Sequence, residues 1–235
     1  WKGAGVVNKE MLDAVIDRKS ELFSGASDQI WEYAEMRFEE NQSAELLCDI
    51  LSAEGFTIEK GIAGLATAFV ASFGSGGPVV AILGEYDALS GLSQKGSVAK
   101  KEPVETGGTG HGCGHNLLGV GALAAAVAIK EYLSSTKTPG TIRYYGCPGE
   151  EGGSGKTFMA REGAFAGSDV AVTWHPMTHN TVFSVGTLAN YQVAFKFHGK
   201  SSHAGTAPHL DRSALDAVEL MNVGVNYLRE HIVQE

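Results

Sequence analysis

Three side chains that could bind a metal ion lie within five residues, in the string His111-Gly-Cys113-Gly-His115. Thiolate and imidazole are both good ligands for zinc and similar transition metals. The glycines on either side of Cys113 let the backbone wrap closely around an ion. The alternative is a glycine turn that contains three polar residues by coincidence. Two ligand types at this spacing favour a metal site.

A pair of carboxylates follows a predicted strand, in the string Cys147-Pro-Gly-Glu150-Glu151-Gly-Gly. The side chains of adjacent residues point apart, so one carboxylate can hold a metal while the other takes and returns protons during hydrolysis. The carboxyl end of a strand is also where open α/β sheets bind ligands. On its own, this string could equally be a solvated acidic turn.

The same stretch invites comparison with a phosphate-binding loop, because Gly149 to Thr157 contains a Gly-Lys-Thr sequence after a strand. The Walker pattern has four residues between its first glycine and the Gly-Lys pair. Here five residues separate Gly149 from Gly155. Two carboxylates in the loop would also repel a phosphate. The sequence therefore disfavours nucleotide binding.

Other predicted strand ends carry residues that could complete a metal site. His175 lies in a Trp-His-Pro string at the end of the next core strand, and Asp87 follows an earlier strand in the string Glu-Tyr-Asp. A carboxylate such as Asp87 commonly orients a ligating imidazole, although it could also cap a turn. Taken alone, His175 could be a hydrogen-bonded structural residue. Side chains that arrive from consecutive strand ends are nevertheless typical of a site in an α/β sheet.

Two further residues lie outside these clusters. His203 follows a long predicted strand in the string Gly-Lys-Ser-Ser-His-Ala. It could bind a substrate carbonyl or carboxylate, but a surface histidine without such a role is the alternative. Cys48 lies among leucines and isoleucine on a predicted helix, which predicts an inert core residue.

The elements that must position these side chains alternate along the chain. Helical spacing of apolar residues predicts three helices near the start: Lys9–Phe23, Ser27–Phe38 and Gln42–Gly55. Short apolar runs bounded by glycine predict two adjacent strands: Thr67–Phe73 and Pro78–Leu83. The next predicted elements are a buried helix, a strand, a helix and a strand: Asn116–Leu133, Thr141–Gly146, Lys156–Gly163 and Asp169–Trp174.

This order predicts an α/β fold with a mostly parallel central sheet flanked by helices. The stretch 88–111, between the predicted strand Pro78–Leu83 and the predicted helix Asn116–Leu133, shows no periodicity of apolar residues, which predicts a functional or mobile loop. After Pro176 the pattern changes to alternating strands over Thr181–Val185 and Leu188–His198, and then to a helix from Leu210 to Glu230 or beyond. The change predicts a catalytic metal-binding domain over residues 1–186 and the start of an incomplete α+β lid domain over 187–235.

Composition excludes several classes of protein. Hydrophobic residues make up 43% of the 235 residues and charged residues 19%, a balance that excludes intrinsic disorder. A formal charge of −9 without a basic patch argues against nucleic acid. The longest apolar run, Leu117–Ile129, falls short of the roughly 20 residues of a membrane span. Three cysteines without a disulfide pattern favour a cytoplasmic protein.

Taken together, the motifs resemble the aminoacylase and carboxypeptidase family of metal-dependent amidohydrolases. The matching strings are GEYDALSGLSQ at 84–94, GHGCGHNLLGVGAL at 110–123, PGEEGGSGK at 148–156, WHP at 174–176 and GKSSHAGTAPHLDRSALDAVELMN at 199–222. The resemblance covers nearly the whole chain. HGCGH and PGEEGGSGK are specific motifs, and their combination leaves little room for chance.

The resemblance implies a centre of two divalent metal ions. Its ligands would be Cys113, His115, Glu151 and His175. Glu150 would be the general base and acid, Asp87 a partner of a ligating histidine, and His203 a substrate-binding residue of the lid. Zinc or manganese is expected, with nickel as a further option, because a thiolate favours zinc on softness whereas geometry and availability could select the others.

The expected reaction is hydrolysis of the amide bond between an acyl or aminobenzoyl group and an amino acid. A dipeptidase or aminoacylase of the same family is the alternative within the enzymes. Relatives continue beyond the lid to a further ligating histidine, and the chain starts without methionine, so it is expected to be a fragment. A truncated, catalytically silent metal-binding subunit is therefore the alternative of another class. A homodimer through the lid is expected, or a hetero-oligomer with a related subunit.

Overall fold

The computed structural model describes residues 9–184 and 186–233. The chain divides into two compact units, Trp1–Val182 and Phe183–Glu235, called here the first and the second unit. The assignment of these units as a catalytic and a lid domain stays a prediction.

Three helices open the described part of the first unit: α1 (Lys9–Arg18), α2 (Ser20–Tyr33) and α3 (Asn41–Ala53). Each buries apolar residues, in keeping with the helical spacing of the sequence. The boundary predicted between the first two helices is wrong, because α1 already ends before Lys19 and α2 starts directly after it. α2 ends earlier than predicted because Ala34 adopts a left-handed backbone with φ of 44°.

A five-stranded sheet forms the centre of the first unit. Its strands are β1 (Thr57–Lys60), β2 (Phe69–Ser75), β3 (Val79–Gly84), β4 (Gly140–Gly146) and β5 (Val170–Val172). They lie in the order β1-β2-β4-β3-β5. The β4-β3-β5 half is parallel, whereas β1 pairs with β2, and β2 with β4, in the antiparallel sense. The predicted α/β fold with a helix-flanked sheet is confirmed, but the sheet is mixed rather than mostly parallel.

The prediction that β2 and β3 are neighbours is wrong, because β4 lies between them and pairs with both. The close approach of β4 to β2 is visible at Gly74, where a Cβ would lie 2.2 Å from the carbonyl oxygen of Gly140. Consecutive strands usually lie next to each other in a sheet. No local sequence pattern indicates that β4, a later strand, lies between β2 and β3. The short strand β1 was not predicted at all.

The longest helix, α4 (His115–Thr136), confirms the predicted buried helix. It shares one apolar cluster with residues of α1–α3 and of the sheet. By length and composition, α4 is the one helix among the described residues that could cross a membrane, and half (50%) of its most apolar window is buried within the protein. Its packing against sheet and helices accounts for that apolar character as a core helix.

The opposite face of the sheet carries a second, smaller apolar cluster. Successive residues of one strand point to opposite faces, so Tyr144 belongs to the larger cluster and Tyr145 to the smaller one. α5 (Gly155–Arg161) contributes Met159 to the smaller cluster. Helices therefore cover both faces, and β4 is tied into the core on each side.

The second unit differs from its prediction. Its described residues form a short 3-10 helix (Pro208–Leu210), the helix α6 (Ala214–Asn226) and a 3-10 turn (Tyr227–Glu230). α6 starts later than predicted because the Ser213 hydroxyl caps it, accepting the amide of Asp216 at 3.1 Å. The strands predicted over 181–185 and 188–198 are wrong for residues 181–184 and 188–198, and Val185 lies outside the described residues.

A physical reason for this difference lies in backbone pairing. A strand needs a neighbour to satisfy its amides and carbonyls, and no described residue pairs with these two segments. Apolar side chains within them, such as Leu188 and Tyr191, are correspondingly exposed at 88% and 91%. The alternating pattern identifies residues suited to a strand, but it does not supply the partner.

Candidate metal centre

The parallel half of the sheet brings three chain segments to one edge. β3, β4 and β5 run in the same direction, and each is followed by residues singled out in the sequence. Asp87 follows β3, Glu150 and Glu151 follow β4, and His175 follows β5. Because the carboxyl ends of parallel strands meet at the same edge, these side chains converge although they are far apart in sequence.

His115 enters this edge from the first residue of α4. The residue before it, Gly114, has a left-handed backbone with φ of 79°, which glycine adopts without strain. His115 is fully buried, and its Nδ1 donates to Oδ1 of Asp87 at 2.8 Å. The other oxygen of Asp87, Oδ2, accepts the amide of Glu151 at 2.8 Å. One buried carboxylate therefore ties the imidazole of α4 to the acidic turn after β4.

Cys113 and His175 form the other side of the cluster. The Sγ of Cys113 lies 3.3 Å from Nε2 of His175. Nδ1 of His175 lies 2.9 Å from the carbonyl oxygen of Pro176, which can only accept, so Nδ1 carries the proton and Nε2 offers a lone pair. The rings of His115 and His175 meet edge to face with centroids 5.7 Å apart.

Two overlapping groups of side chains could hold metal ions. One atom each from Cys113, His115 and His175 lie within 4.8 Å of one another. The same holds for one atom each from Glu85, His115 and Glu150. His115 belongs to both groups, but its Nδ1 is bound to Asp87, so its Nε2 can bind an ion of only one group at a time. Glu151 lies at the margin, with Oε1 4.0 Å from Nε2 of His115.

Unpaired buried atoms test whether a cation fits. Oε2 of Glu85, Nε2 of His115 and Oε1 of Glu151 are buried and have no hydrogen-bond partner. Oε2 of Glu85 lies 3.1 Å from Nε2 of His115, but the two do not meet with hydrogen-bond geometry. A buried polar atom without a partner costs about 1–3 kcal/mol. A divalent cation would satisfy all three acceptors, and thiolate, imidazole and carboxylate suit it chemically.

The acid groups at this edge raise one another's proton affinity. Burial, followed by the nearby charge of Glu85 and then of Glu151, raises the pKa of Glu150. Burial, followed by the hydrogen bond and the negative charge of Glu151, also raises the pKa of the Cys113 thiol to about 12. For His115, burial alone would lower the pKa, but the hydrogen bond and charge of Asp87 outweigh it and raise the pKa. Such mutual repulsion is what a bound cation relieves.

Two residues of this cluster received no role from the sequence. Glu85 is buried, and its other oxygen, Oε1, forms an ion pair with Lys156 of α5. The signal that could have found it is its spacing, because Glu85 and Asp87 are two residues apart and share a side of the extended chain. For Lys156, the sequence shows only a Gly-Lys-Thr string, which suggests a phosphate-binding loop and not a partner of Glu85. Its place beside Glu85 is a tertiary contact without a local signature.

Some residues of the motifs lie apart from the ligand cluster. His111 is buried and donates from Nε2 to the carbonyl oxygen of Ile30 at 2.9 Å. Burial lowers the pKa of His111 to about 4, so this ring is neutral. Cys48 lies in the larger apolar cluster, as predicted. Cys147 is also buried, in the smaller cluster.

His203 belongs to the second unit and stands in a local turn there. Its Nδ1 accepts the amides of Gly205 at 3.1 Å and Thr206 at 3.2 Å. These two bonds hold the ring against its own loop and do not involve Nε2. Its role toward a substrate stays a prediction, as do the individual roles of the other site residues.

Comparison with known proteins adds a family to this geometry. The pattern of Peptidase family M20/M25/M40 matches residues 81–229. The chain is 52% identical over 224 residues to a subunit of the p-aminobenzoyl-glutamate hydrolase of Escherichia coli (strain K12), covering 95% of this chain and 47% of that protein. It is 31% identical over 229 residues to the Xaa-Arg dipeptidase of Mus musculus, covering 92% of this chain and 49% of that protein.

A solved structure shows the same fold. A dinuclear metal binding peptidase from the M20 family of Bacillus subtilis superposes with a TM-score of 0.51 and 22% sequence identity, over 70% of this chain and 43% of that one. The chain spans about half the length of the curated relatives it matches. The family pattern covers every residue of the cluster described above, from Glu85 to His175. The chain therefore belongs to Peptidase family M20/M25/M40.

Proposed function

We propose that this chain carries the catalytic centre of a hydrolase that depends on two divalent metal ions and cleaves an amide bond. The observation that carries the proposal is the group of buried ligand atoms without hydrogen-bond partners, on Glu85, His115 and Glu151, beside Cys113 and His175. Divalent cations held there would make a bound water more acidic and polarise the amide carbonyl. Cys113, His115, Glu151 and His175 would hold them, and the dinuclear peptidase of the same fold supports the number two.

Glu150 is the residue best placed to move protons. Its side chain is 44% exposed and its Oε2 lies 3.9 Å from Nε2 of His115, so it reaches water while it borders the ligand cluster. Its raised pKa favours uptake of a proton from the attacking water and later release to the leaving amine. Glu151, its neighbour, is held by the Asp87 bond to its amide. The two adjacent carboxylates thus divide proton transfer and ligation between them.

Asp87 keeps His115 in the form that can bind a cation. The Asp87 carboxylate accepts a hydrogen bond from the Nδ1–H group of His115, which keeps the proton on Nδ1 and leaves the lone pair of Nε2 free for a cation. Because the same carboxylate holds the amide of Glu151, one residue sets the orientation of two proposed ligands. His203 would bind the substrate carbonyl or carboxylate from the second unit.

The proposed substrate is an N-acyl or aminobenzoyl amino acid. The similarity to the p-aminobenzoyl-glutamate hydrolase of Escherichia coli supports it. A dipeptide is the alternative within the family, and the similarity to the Xaa-Arg dipeptidase supports that reading. Both substrates contain an amide next to a carboxylate, so the cluster serves either, and the choice between them falls to residues that contact the acyl group.

We further propose zinc or manganese as the metal, with nickel as the third option, because the Cys113 thiolate favours zinc on softness whereas geometry and availability could select the others. The Escherichia coli relative is named as one subunit of its hydrolase, which supports assembly with a second kind of subunit. A homodimer through the second unit is the alternative. A cytoplasmic location remains an expectation from the cysteine content.

Metal analysis combined with a hydrolysis panel tests the proposal. The full chain would be loaded in turn with zinc, manganese or nickel and assayed on p-aminobenzoyl-glutamate, other N-acyl amino acids and dipeptides. Two ions per chain with turnover of one of these amides would support the proposal. Metal binding without turnover on the panel would instead favour a silent metal-binding subunit. A chain that binds none of the three metals would contradict the proposal.

A further inference from the structure

Glu40 is a buried carboxylate outside the metal cluster. It directly precedes α3 and is fully buried. Its Oε1 accepts the amide of Gly149 at 2.8 Å, and its Oε2 accepts the hydroxyl of Thr67 at 2.9 Å. Burial raises the pKa of Glu40, while these hydrogen bonds oppose the rise. Burying a carboxylate costs free energy unless it is hydrogen-bonded. The two hydrogen bonds offset this cost and hold the Glu40 side chain between Gly149 and Thr67.

The aromatic ring of Phe38 supports the same turn. A Cβ on Gly149 would lie 2.6 Å from this ring, and a Cβ on Gly153 would lie 2.7 Å from it. Phe38 itself has a positive φ of 64°, which a residue with a bulky side chain rarely adopts. Such strain persists only where the surroundings hold the residue in place. The glycines of the turn therefore leave room for a ring that packs directly against their backbone.

Neighbours of Phe38 also contact both acidic segments. The carbonyl of Glu35 accepts the amide of Ala88 at 2.8 Å, next to Asp87. Arg37 donates from Nη1 to the carbonyl oxygen of Glu151 at 3.4 Å. Residues 35–40, between α2 and α3, thus touch the chain after β3 and the turn after β4.

We propose that Glu40 is a positioning residue for the Glu150–Glu151 turn and acts through the amide of Gly149. Gly149 is bonded directly to Glu150, so a rotation of its peptide moves both carboxylates. A displacement of about 1 Å in such a site can cost about a hundredfold in rate. The inference rests on the proposed function, because it gives Glu40 a purpose only where Glu150 and Glu151 do metal-dependent chemistry.

A merely structural role is the competing explanation, and three variants separate the two. Glu40→Ala leaves both donors without a partner. Glu40→Gln can still accept the Gly149 amide and can donate its own NH₂ group to the Thr67 hydroxyl oxygen. Leu47→Ala is the matched control, because Leu47 is fully buried on α3 in the larger apolar cluster and has no contact with the turn among its described interactions.

Two readouts on the full chain test the proposal. The first is the affinity for Co²⁺, followed by the absorption band of a cobalt-bound thiolate. The second is amide hydrogen exchange of residues 149–152 in metal-free protein. We expect Glu40→Ala to weaken Co²⁺ binding about tenfold or more and to speed exchange in this stretch. Glu40→Gln should restore both, and Leu47→Ala should lower thermal stability while changing neither.

The outcomes separate this inference from the proposed function. If Glu40→Ala behaves like Leu47→Ala in both readouts, Glu40 is a core residue and the positioning role is wrong. If the parent chain itself binds no Co²⁺, the proposed function fails and the positioning role falls with it. Should Glu40→Ala not fold, Glu40→Asp decides, because its shorter side chain keeps the charge but cannot reach both donors. It should weaken Co²⁺ binding in the same direction, and parental affinity would overturn the role.

Discussion

Asp87 joins His115 to the acidic turn, because its Oδ1 accepts from Nδ1 of His115 and its Oδ2 accepts the amide of Glu151, each at 2.8 Å. The carboxylate is almost completely buried. It holds an imidazole from the start of a helix and a peptide from the end of a strand in a fixed relation. The candidate ligand cluster is therefore held together by a residue that would not need to touch a bound metal ion.

Asp87→Asn should weaken metal binding by about 10–100-fold, because the amide replaces one acceptor oxygen with a donor and releases either His115 or Glu151. Competition with a chelator for Zn²⁺ measures the effect. Asp49→Asn, which changes an exposed acid on α3, is the control and should leave the affinity unchanged. Parental affinity in Asp87→Asn would show that the two hydrogen bonds do not orient the ligands.

Glu150→Gln should retain bound metal and lose turnover by about 10²–10⁴-fold, because glutamine cannot take or return a proton. Elemental analysis and the rate of amide hydrolysis are measured on the same preparation. Retained metal sets this variant apart from Glu151→Gln, which is expected to lose metal as well as activity. Hydrolysis by Glu150→Gln at the parental rate would rule out Glu150 as the base.

Cys113→Ser should reduce affinity for Zn²⁺ more than affinity for Mn²⁺. A thiolate is a soft ligand that favours zinc, whereas a hydroxyl oxygen suits manganese at least as well. The comparison of the two metals in one variant serves as its own control for misfolding. Equal losses for both ions would indicate that Cys113 contributes to the shape of the site and not to its ligands.

Glu54→Gln should destabilise the protein near neutral pH and have little effect in acid. Glu54 binds Lys19 at 2.5 Å and Lys130 at 3.3 Å, and its side chain is 11% exposed. Burial alone would raise the pKa of Glu54, but the two lysines outweigh it and lower the pKa. The folded state thus favours the ionised form. The stabilisation is present above the ordinary pKa of about 4.5 and disappears as the pH falls through the lower value of the folded state.

The expected loss is about 1–2 kcal/mol at about pH 7, between the values for exposed and fully buried ion pairs. Thermal unfolding of parent and variant from about pH 7 down to about pH 3 measures it. Glu21→Gln on α2, an exposed position, is the control. A difference in stability that stays constant across this range would show that the ionised carboxylate is not responsible.

Most of the side chains that meet at this edge of the sheet could be identified from the sequence because their signals are local, and their roles as ligands stay a prediction. HGCGH, the adjacent pair Glu150–Glu151 and His175 each stand next to a recognisable strand or helix, and the parallel strands carry these ends to one edge. The buried helix α4 was predicted closely for the same reason, since its apolar residues are contiguous. Local patterns were weakest for the second unit, where strand-like sequence found no partner among the described residues.

The amino-acid sequence by itself determined the chemistry available to this protein: a thiol, imidazoles and paired acids at the ends of strands in an α/β chain. Only the tertiary structure decided which of them meet. In the folded chain, β4 lies between β2 and β3, and His111 donates to the carbonyl of Ile30. Glu85 lies beside His115, and Glu40 accepts the amide of Gly149. Residue type and short-range spacing act over a few positions of the chain, whereas these contacts join residues 30 or more positions apart and form only when the whole core packs.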